Sequence, residues 1–246
     1  MRKEWEEYQA IYVHIPFCKS RCRYCDFYST TQLERRQEYV DAVLHEWNQL
    51  SGIQLNQHLI NPSPIQPINV QTIYLGGGTP SMLEVEDIKR LIEAIATQDT
   101  TEITLEANPG DLNLNKLTDL RHIGINRLSI GIQSFDDTLL QLIGRRHNAE
   151  QAIKAVKEAQ KAGFDNLSID LMYGLPTQTM EQWKQSVSAA LALHVQHISC
   201  YCLSYEEGTP LYTDLEQGKV EPISDETENE MYDYLCGTLT EAGYEH

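Results

Sequence analysis

Two rhythms of apolar residues alternate along this chain. Six short runs, Ile11–Ile15, Val70–Leu75, Glu102–Glu106, Arg127–Ile132, Leu167–Met172 and His197–Leu203, are dominated by β-branched or other apolar residues and bounded by Gly, Pro, Asn or Asp. Runs of that length and punctuation predict strands. Each is followed by a stretch with helical spacing. Gln32–Leu50 carries Leu33, Val40, Val43, Leu44, Trp47 and Leu50 on one stripe, and Glu84–Ala96 repeats the pattern with Val85, Ile88, Leu91, Ile92 and Ile95. Further helices are predicted over Leu112–Ile123, Asp136–Ile143, Ala149–Ala162, Thr179–Leu193 and Asp225–Ala242, with Gly163 and Gly243 as stops. Ser51–Asn69, rich in Gln, Asn and Pro, reads as a surface loop.

Strand alternating with helix six times predicts an α/β fold of parallel strands joined by crossover helices. The pattern fits an open doubly wound sheet and a barrel equally well. The last residues, Tyr244-Glu245-His246, follow a helix that has no strand after it. That ending predicts that residues 1–246 are a truncated part of a longer protein.

Composition narrows the function classes. At 246 residues, with 41% apolar and 22% charged positions, the chain is long enough for a substantial core and too apolar to be disordered. Its 19 Lys and Arg face 36 Asp and Glu, a formal charge of −17. Such acidity argues against nucleic acid as a partner, because phosphates call for basic surface. No apolar run approaches the roughly 18 residues of a membrane span, so no transmembrane segment is expected. The start, MRKEWEEYQA, has no apolar signal core. A cytoplasmic location is the expectation.

Three of the six cysteines, Cys18, Cys22 and Cys25, fall in one short loop directly after the first strand, spaced Cys-x3-Cys-x2-Cys. In a reducing compartment such a cluster reads as metal-binding or catalytic rather than as disulfides. Structural zinc closes a tetrahedron with four ligands, and no second pair appears downstream. Three thiolates leave one iron of a [4Fe–4S] cube without a protein ligand, and an open position is a reactive one. Lys19, Arg21 and Arg23 put positive charge beside the thiolates, while Phe17, Tyr24, Phe27 and Tyr28 are candidates for an apolar shell. Three buried thiols or a zinc hook is the plainer alternative.

With these residues the sequence resembles the radical S-adenosylmethionine (SAM) superfamily, whose signature is that spacing. More narrowly it resembles the oxygen-independent coproporphyrinogen III oxidase family, and within it the heme chaperone branch. The likeness runs from about Tyr12 to the last residue and implies a partial (β/α)6 barrel. Further motifs carry it. Leu75-Gly76-Gly77-Gly78-Thr79-Pro80 follows the second strand, where glycines let backbone approach a ligand. The resemblance implies that Gly77, Gly78 and Thr79 meet the methionyl amino group of SAM. It implies SAM contacts for Glu106, Gln133 and Asp170, the last through ribose hydroxyls. Arg145, in Gly144-Arg-Arg-His147, would pair with the methionyl carboxylate, a role that suits a planar guanidinium. Tyr12, Tyr24 and Cys202 complete the implied cofactor set. Cys200, Cys202 and Cys236 otherwise read as buried thiols, and His14 and His147 as structural histidines.

Two functions follow from the resemblance. The oxidase branch uses an electron from the cluster to cleave SAM, and the resulting 5′-deoxyadenosyl radical attacks a porphyrinogen propionate. That branch has a fourth cysteine two residues after the third; here the position is Phe27. Cys25-Asp26-Phe27, Gly131-Ile-Gln-Ser-Phe135 and Glu206-Glu207-Gly-Thr-Pro210 match the chaperone branch instead. That branch implies binding of heme and its delivery to an acceptor protein, with a reductant such as flavodoxin or ferredoxin for the cluster.

Overall fold

Six strands make a single sheet in the computed structural model, which describes residues 9–56 and 69–246. They are β1 (Gln9–Ile15), β2 (Val70–Gly77), β3 (Glu102–Ala107), β4 (Arg127–Gln133), β5 (Leu167–Tyr173) and β6 (His197–Cys202). They lie in sequence order and every neighbouring pair is parallel. A doubly wound sheet reverses direction at a switch point; this one never does, which is the winding of a barrel. Among the described residues β1 and β6 do not pair, so the barrel is partial.

Eight helices accompany the strands among the described residues: α1 (Arg36–Asn56), α2 (Val85–Ile95), α3 (Leu114–His122), α4 (Asp137–Leu142), α5 (Ala149–Lys161), α6 (Met180–Leu191), α7 (Pro210–Glu216) and α8 (Asp225–Glu241). Asn148 with Gln151 and Thr179 with Gln182 form capping boxes that start α5 and α6. Helix α1 runs past its expected end at Leu50, with the Ser51 hydroxyl bonded back to the Trp47 carbonyl at 2.8 Å. The remainder of the expected Ser51–Asn69 loop, residues 57–68, lies outside the described residues. Helix α7 was not expected. Thr209 caps it and Pro210 opens it, but only Leu211 is buried, so no apolar stripe announces it.

Strand side chains alternate between two faces. Val13, Ile15, Ile73, Leu75, Ile103, Leu105, Leu128, Ile130, Leu167 and Ile169 all join one buried cluster with the apolar stripes of the helices. Trp183 of α6 lies at its centre with no exposed surface, its ring 5.6 Å from that of Tyr173 and its Nε1 donating to the Met231 carbonyl. Each such side chain contributes about 1.5–3 kcal/mol by leaving water. The opposite parity carries Tyr12, His14, Tyr74, Thr104, Glu106, Ser129, Asp170, Ser199 and Tyr201. That inner face is polar and aromatic.

Candidate functional site

At the carboxyl ends of the strands the inner face opens into a cavity of about 570 Å³. Parallel α/β folds place ligands at this end, because the chain leaves each strand there into a free loop. The cavity gathers Cys18, Cys22, Tyr24, Cys25, Gly77, Gly78, Thr79, Glu106, Gln133, Arg145 and Asp170 on its wall, eleven of the thirteen expected site residues. The other two, Tyr12 and Cys202, are not on that wall.

Tyr12 lies lower on the inner face, with its ring stacked 5.9 Å from Tyr74 and its hydroxyl 3.3 Å from His14 Nδ1. Cys202 lies off that wall. It shares parity with Ile198 and Cys200, so its thiol points to the helix side, where it packs against the core and abuts Gly174. Its neighbour Tyr201 takes the inward position and lines the cavity, 56% exposed. Cys200 and Cys236 line a separate groove between β6 and α8.

The cysteine loop is fixed from several sides. Cys18 N–H donates to the Thr30 carbonyl and Arg23 N–H to the Ile143 carbonyl, while the Leu211 N–H of α7 donates to Arg23. The Arg23 guanidinium bonds the Leu142 carbonyl and pairs with Asp214 of α7. Arg21 donates to the Ser29 carbonyl. These two arginines therefore brace the loop, and the expected free positive charge beside the thiolates is partly spent on Asp214. The expected apolar shell also divides. Phe17 is buried beneath the loop against Tyr39, whereas Phe27 stands 68% exposed on the cavity wall.

All six cysteines are free thiols. Burial pushes the Cys25 thiol up, and the neighbouring Cys22 and Cys18 add to the shift. A bound metal would hold these sulfurs as thiolates against that shift. Among the described residues no three His, Cys, Asp or Glu side chains converge on a single-ion site. A cubane does not ask for convergence, since each thiolate takes its own iron.

The strand ends around the loop fit an organic ligand. Gly77 has φ +118°, and a Cβ there would meet the His14 ring at 2.7 Å; at Gly78 it would lie 2.9 Å from the Pro16 backbone. Only glycine lets the chain pass this close to its neighbours, and the Gly77 and Gly78 N–H groups are held by Glu106 and by the Ile15 carbonyl. Glu106 holds that run, accepting from Gly77 N–H at 3.0 Å and from the Tyr74 hydroxyl at 2.8 Å. Its carboxyl is raised by burial, against the pull of those two bonds. Asp170 is pushed up to about 6, first by burial and then by Glu106, while Ser129 Oγ at 3.4 Å favours the charged form.

Arg145 bonds Cys22 Sγ at 3.4 Å and the Gly131 carbonyl, but its Nε is buried without a partner. An orphaned donor on a guanidinium facing a cavity fits a carboxylate. Its neighbour Arg146 instead pairs with Asp111 at 2.9 Å, tying the turn after α4 to the end of β3. The Arg146–Asp111 and Arg23–Asp214 pairs were not legible in the sequence: both join residues far apart in the chain.

Residues 12–190 match the Radical SAM superfamily. The chain is 37% identical over 243 residues to the heme chaperone HemW of Bacillus subtilis, covering 96% of this chain and 61% of that protein. It is 36% identical to the mitochondrial radical S-adenosyl methionine domain-containing protein 1 of Bos taurus, over 96% of this chain and 52% of that one. Among solved structures it resembles coproporphyrinogen III oxidase (HemN) from Escherichia coli, with a TM-score of 0.81 and 27% identity over 97% of this chain and 53% of that one. The chain thus spans about half to three-fifths of the length of these relatives. The superfamily works with a [4Fe–4S] cluster and SAM, and the cysteine loop, glycine cradle and orphaned arginine fit that pair. A six-stranded partial barrel, a three-cysteine loop at its mouth and a match over most of its length lead to one conclusion: this chain belongs to the radical SAM superfamily.

Proposed function

We propose that residues 1–246 form the radical SAM core of a heme chaperone, which binds a [4Fe–4S] cluster, SAM and heme and passes heme to an acceptor protein. Cys18, Cys22 and Cys25 hold the cluster. When bound, it supplies an electron-transferring centre with one iron position left to SAM. Arg145 meets the methionyl carboxylate with its guanidinium, and Gly77, Gly78 and Thr79 offer backbone carbonyl and hydroxyl oxygens to the amino end. Glu106 keeps that glycine run in place, while Gln133 binds from the end of β4 and Asp170 from the middle of β5. Tyr24 closes the cavity beside Arg145, and Tyr12 lies further down the barrel. A ferredoxin- or flavodoxin-like protein reduces the cluster. Its location is the cytoplasm, and no helix among the described residues is long and apolar enough to cross a membrane.

The observation that carries the chaperone reading is Phe27. Where the oxidase branch has its fourth cysteine, this chain puts a largely exposed aromatic ring on the cavity wall. A flat apolar macrocycle gains from such a ring by stacking, whereas a thiol's chemistry is lost. The test is a paired assay on the full-length, anaerobically reconstituted protein. Heme transfer to an apo-hemoprotein, without turnover of coproporphyrinogen III in the presence of SAM and reductant, is the expected result. Protoporphyrinogen formation would establish the oxidase instead.

A further inference from the structure

The end of β4 is irregular. Leu128, Ser129 and Ile130 face Leu167, Ser168 and Ile169 of β5 in step, and Gly131 faces Asp170. The next pair is Gln133 with Leu171, so Ile132 has no opposite number. Gln133 then adopts φ +71°, the left-handed region that residues other than glycine avoid. Such a conformation persists only where its surroundings hold it.

Two side chains from the turn after α4 do so. Arg145 donates to the Gly131 carbonyl, and His147 Nε2 lies 3.0 Å from the Ile132 carbonyl. On the other side Phe135 N–H is bonded to Ser186 Oγ and Asp136 N–H to Ser134 Oγ. His147 is only 3% exposed, and its Nδ1 is buried with no partner. A carbonyl only accepts, so Nε2 carries the proton and the ring is the Nε2–H tautomer. Burial and the neighbouring Arg145 hold the ring's pKa down at about 4, which keeps it neutral. A buried ring that leaves one nitrogen unsatisfied to make a single bond marks that bond as the reason for its placement.

We propose that His147 is a positioning residue: by holding the Ile132 carbonyl it keeps Gln133 in its left-handed conformation, with the side-chain amide turned into the cavity. The inference rests on the reading of the cavity as a SAM site. It deepens that reading by assigning the bulge and its clamp to the presentation of one ligand contact.

The test uses the full-length, cluster-loaded protein and four variants. In His147→Gln the amide nitrogen reaches the place of Nε2; in His147→Asn it stops at the place of Nδ1. His147→Phe fills the volume without a donor and replaces His147→Asn should that variant fail to fold. Gln133→Ala tests the contact itself. SAM binding is read from the change it causes in the EPR spectrum of the reduced cluster, and the bulge from amide hydrogen exchange over residues 131–135. We expect His147→Asn to weaken SAM binding by about tenfold, the loss of one buried hydrogen bond, and to speed exchange at the bulge, with iron content unchanged. His147→Gln should stay within about threefold of the parent, since the donor is restored. SAM binding unchanged in His147→Asn but weakened in Gln133→Ala would overturn the positioning role and leave the SAM site standing. Equal losses in His147→Gln and His147→Asn would reduce the residue to packing and overturn it too. Parent-like binding in Gln133→Ala would remove Gln133 from the site and the inference with it.

Discussion

The two faces of one sheet have opposite tasks, and they are set one residue apart. Leu105 has no exposed surface and belongs to the core against the helices, while the next residue, Glu106, is a carboxylate in the cavity. The same division separates Ile169 from Asp170 and Cys202 from Tyr201. A closed barrel fills its interior with layers of branched apolar side chains. This partial one instead leaves its interior polar and open, and takes its stability from the helix layer outside. The chemistry can therefore be costly in desolvation, as the raised carboxyls of Glu106 and Asp170 attest, because the opposite face carries the fold.

The division breaks most visibly at Leu105 and Glu106. Leu105→Ala should cost about 2–5 kcal/mol in denaturant unfolding, the price of a cavity in a packed core. Glu106→Gln should cost less than about 1 kcal/mol, because burial already disfavours the charge that it removes, yet it should lower SAM affinity. Equal losses of stability at the two positions would dissolve the contrast.

A second test titrates the inner face. With its folded pKa raised from 3.8 to about 6, Asp170 keeps its proton in the folded protein after the unfolded chain has released it. Its contribution to stability is thus fully present below about pH 4 and lost as pH rises to about 6, by at most roughly 3 kcal/mol. Asp170→Asn should flatten that slope in unfolding measurements on SAM-free protein. A parent and variant with the same slope would show that Asp170 ionises as freely as a surface carboxylate.

The smallest effects are expected at β6. Cys202→Ala removes one thiol from the outer side and should change stability by about 1 kcal/mol or less, with SAM binding intact. Tyr201→Ala should leave stability unaltered and change ligand binding. The reverse pattern would place the Cys202 thiol in the site and invert the assigned parity.

Much of this arrangement was legible in the chain. The six strands announced themselves because parallel strands buried against helices are apolar runs closed by Gly, Pro, Asn or Asp, and Gly77, Glu106 and Gln133 stand where those runs stop. Cys18, Cys22 and Cys25 could be grouped in advance because they are close in sequence. The parity of Cys202 is also legible, since Ile198, Cys200 and Cys202 alternate with Ser199 and Tyr201. Helix α7 was missed because a seven-residue helix with one buried side chain has no period to detect. The clamp at β4 was invisible for a different reason. Nothing in Gly131-Ile132-Gln133 signals a left-handed glutamine, and the carbonyl held by His147 lies fifteen residues away, across a turn and a helix.

In the proposed site three thiolates hold a cluster whose remaining iron is open to SAM. The most direct measurement is iron and sulfide analysis with EPR of the reduced, anaerobically prepared full-length protein, before and after addition of SAM. The prediction is iron and sulfide in the ratio of a [4Fe–4S] cube, with a spectrum that changes when SAM is added and no cluster in a Cys22→Ser variant. Bound zinc in place of iron, or a cubane whose spectrum ignores SAM, would contradict it.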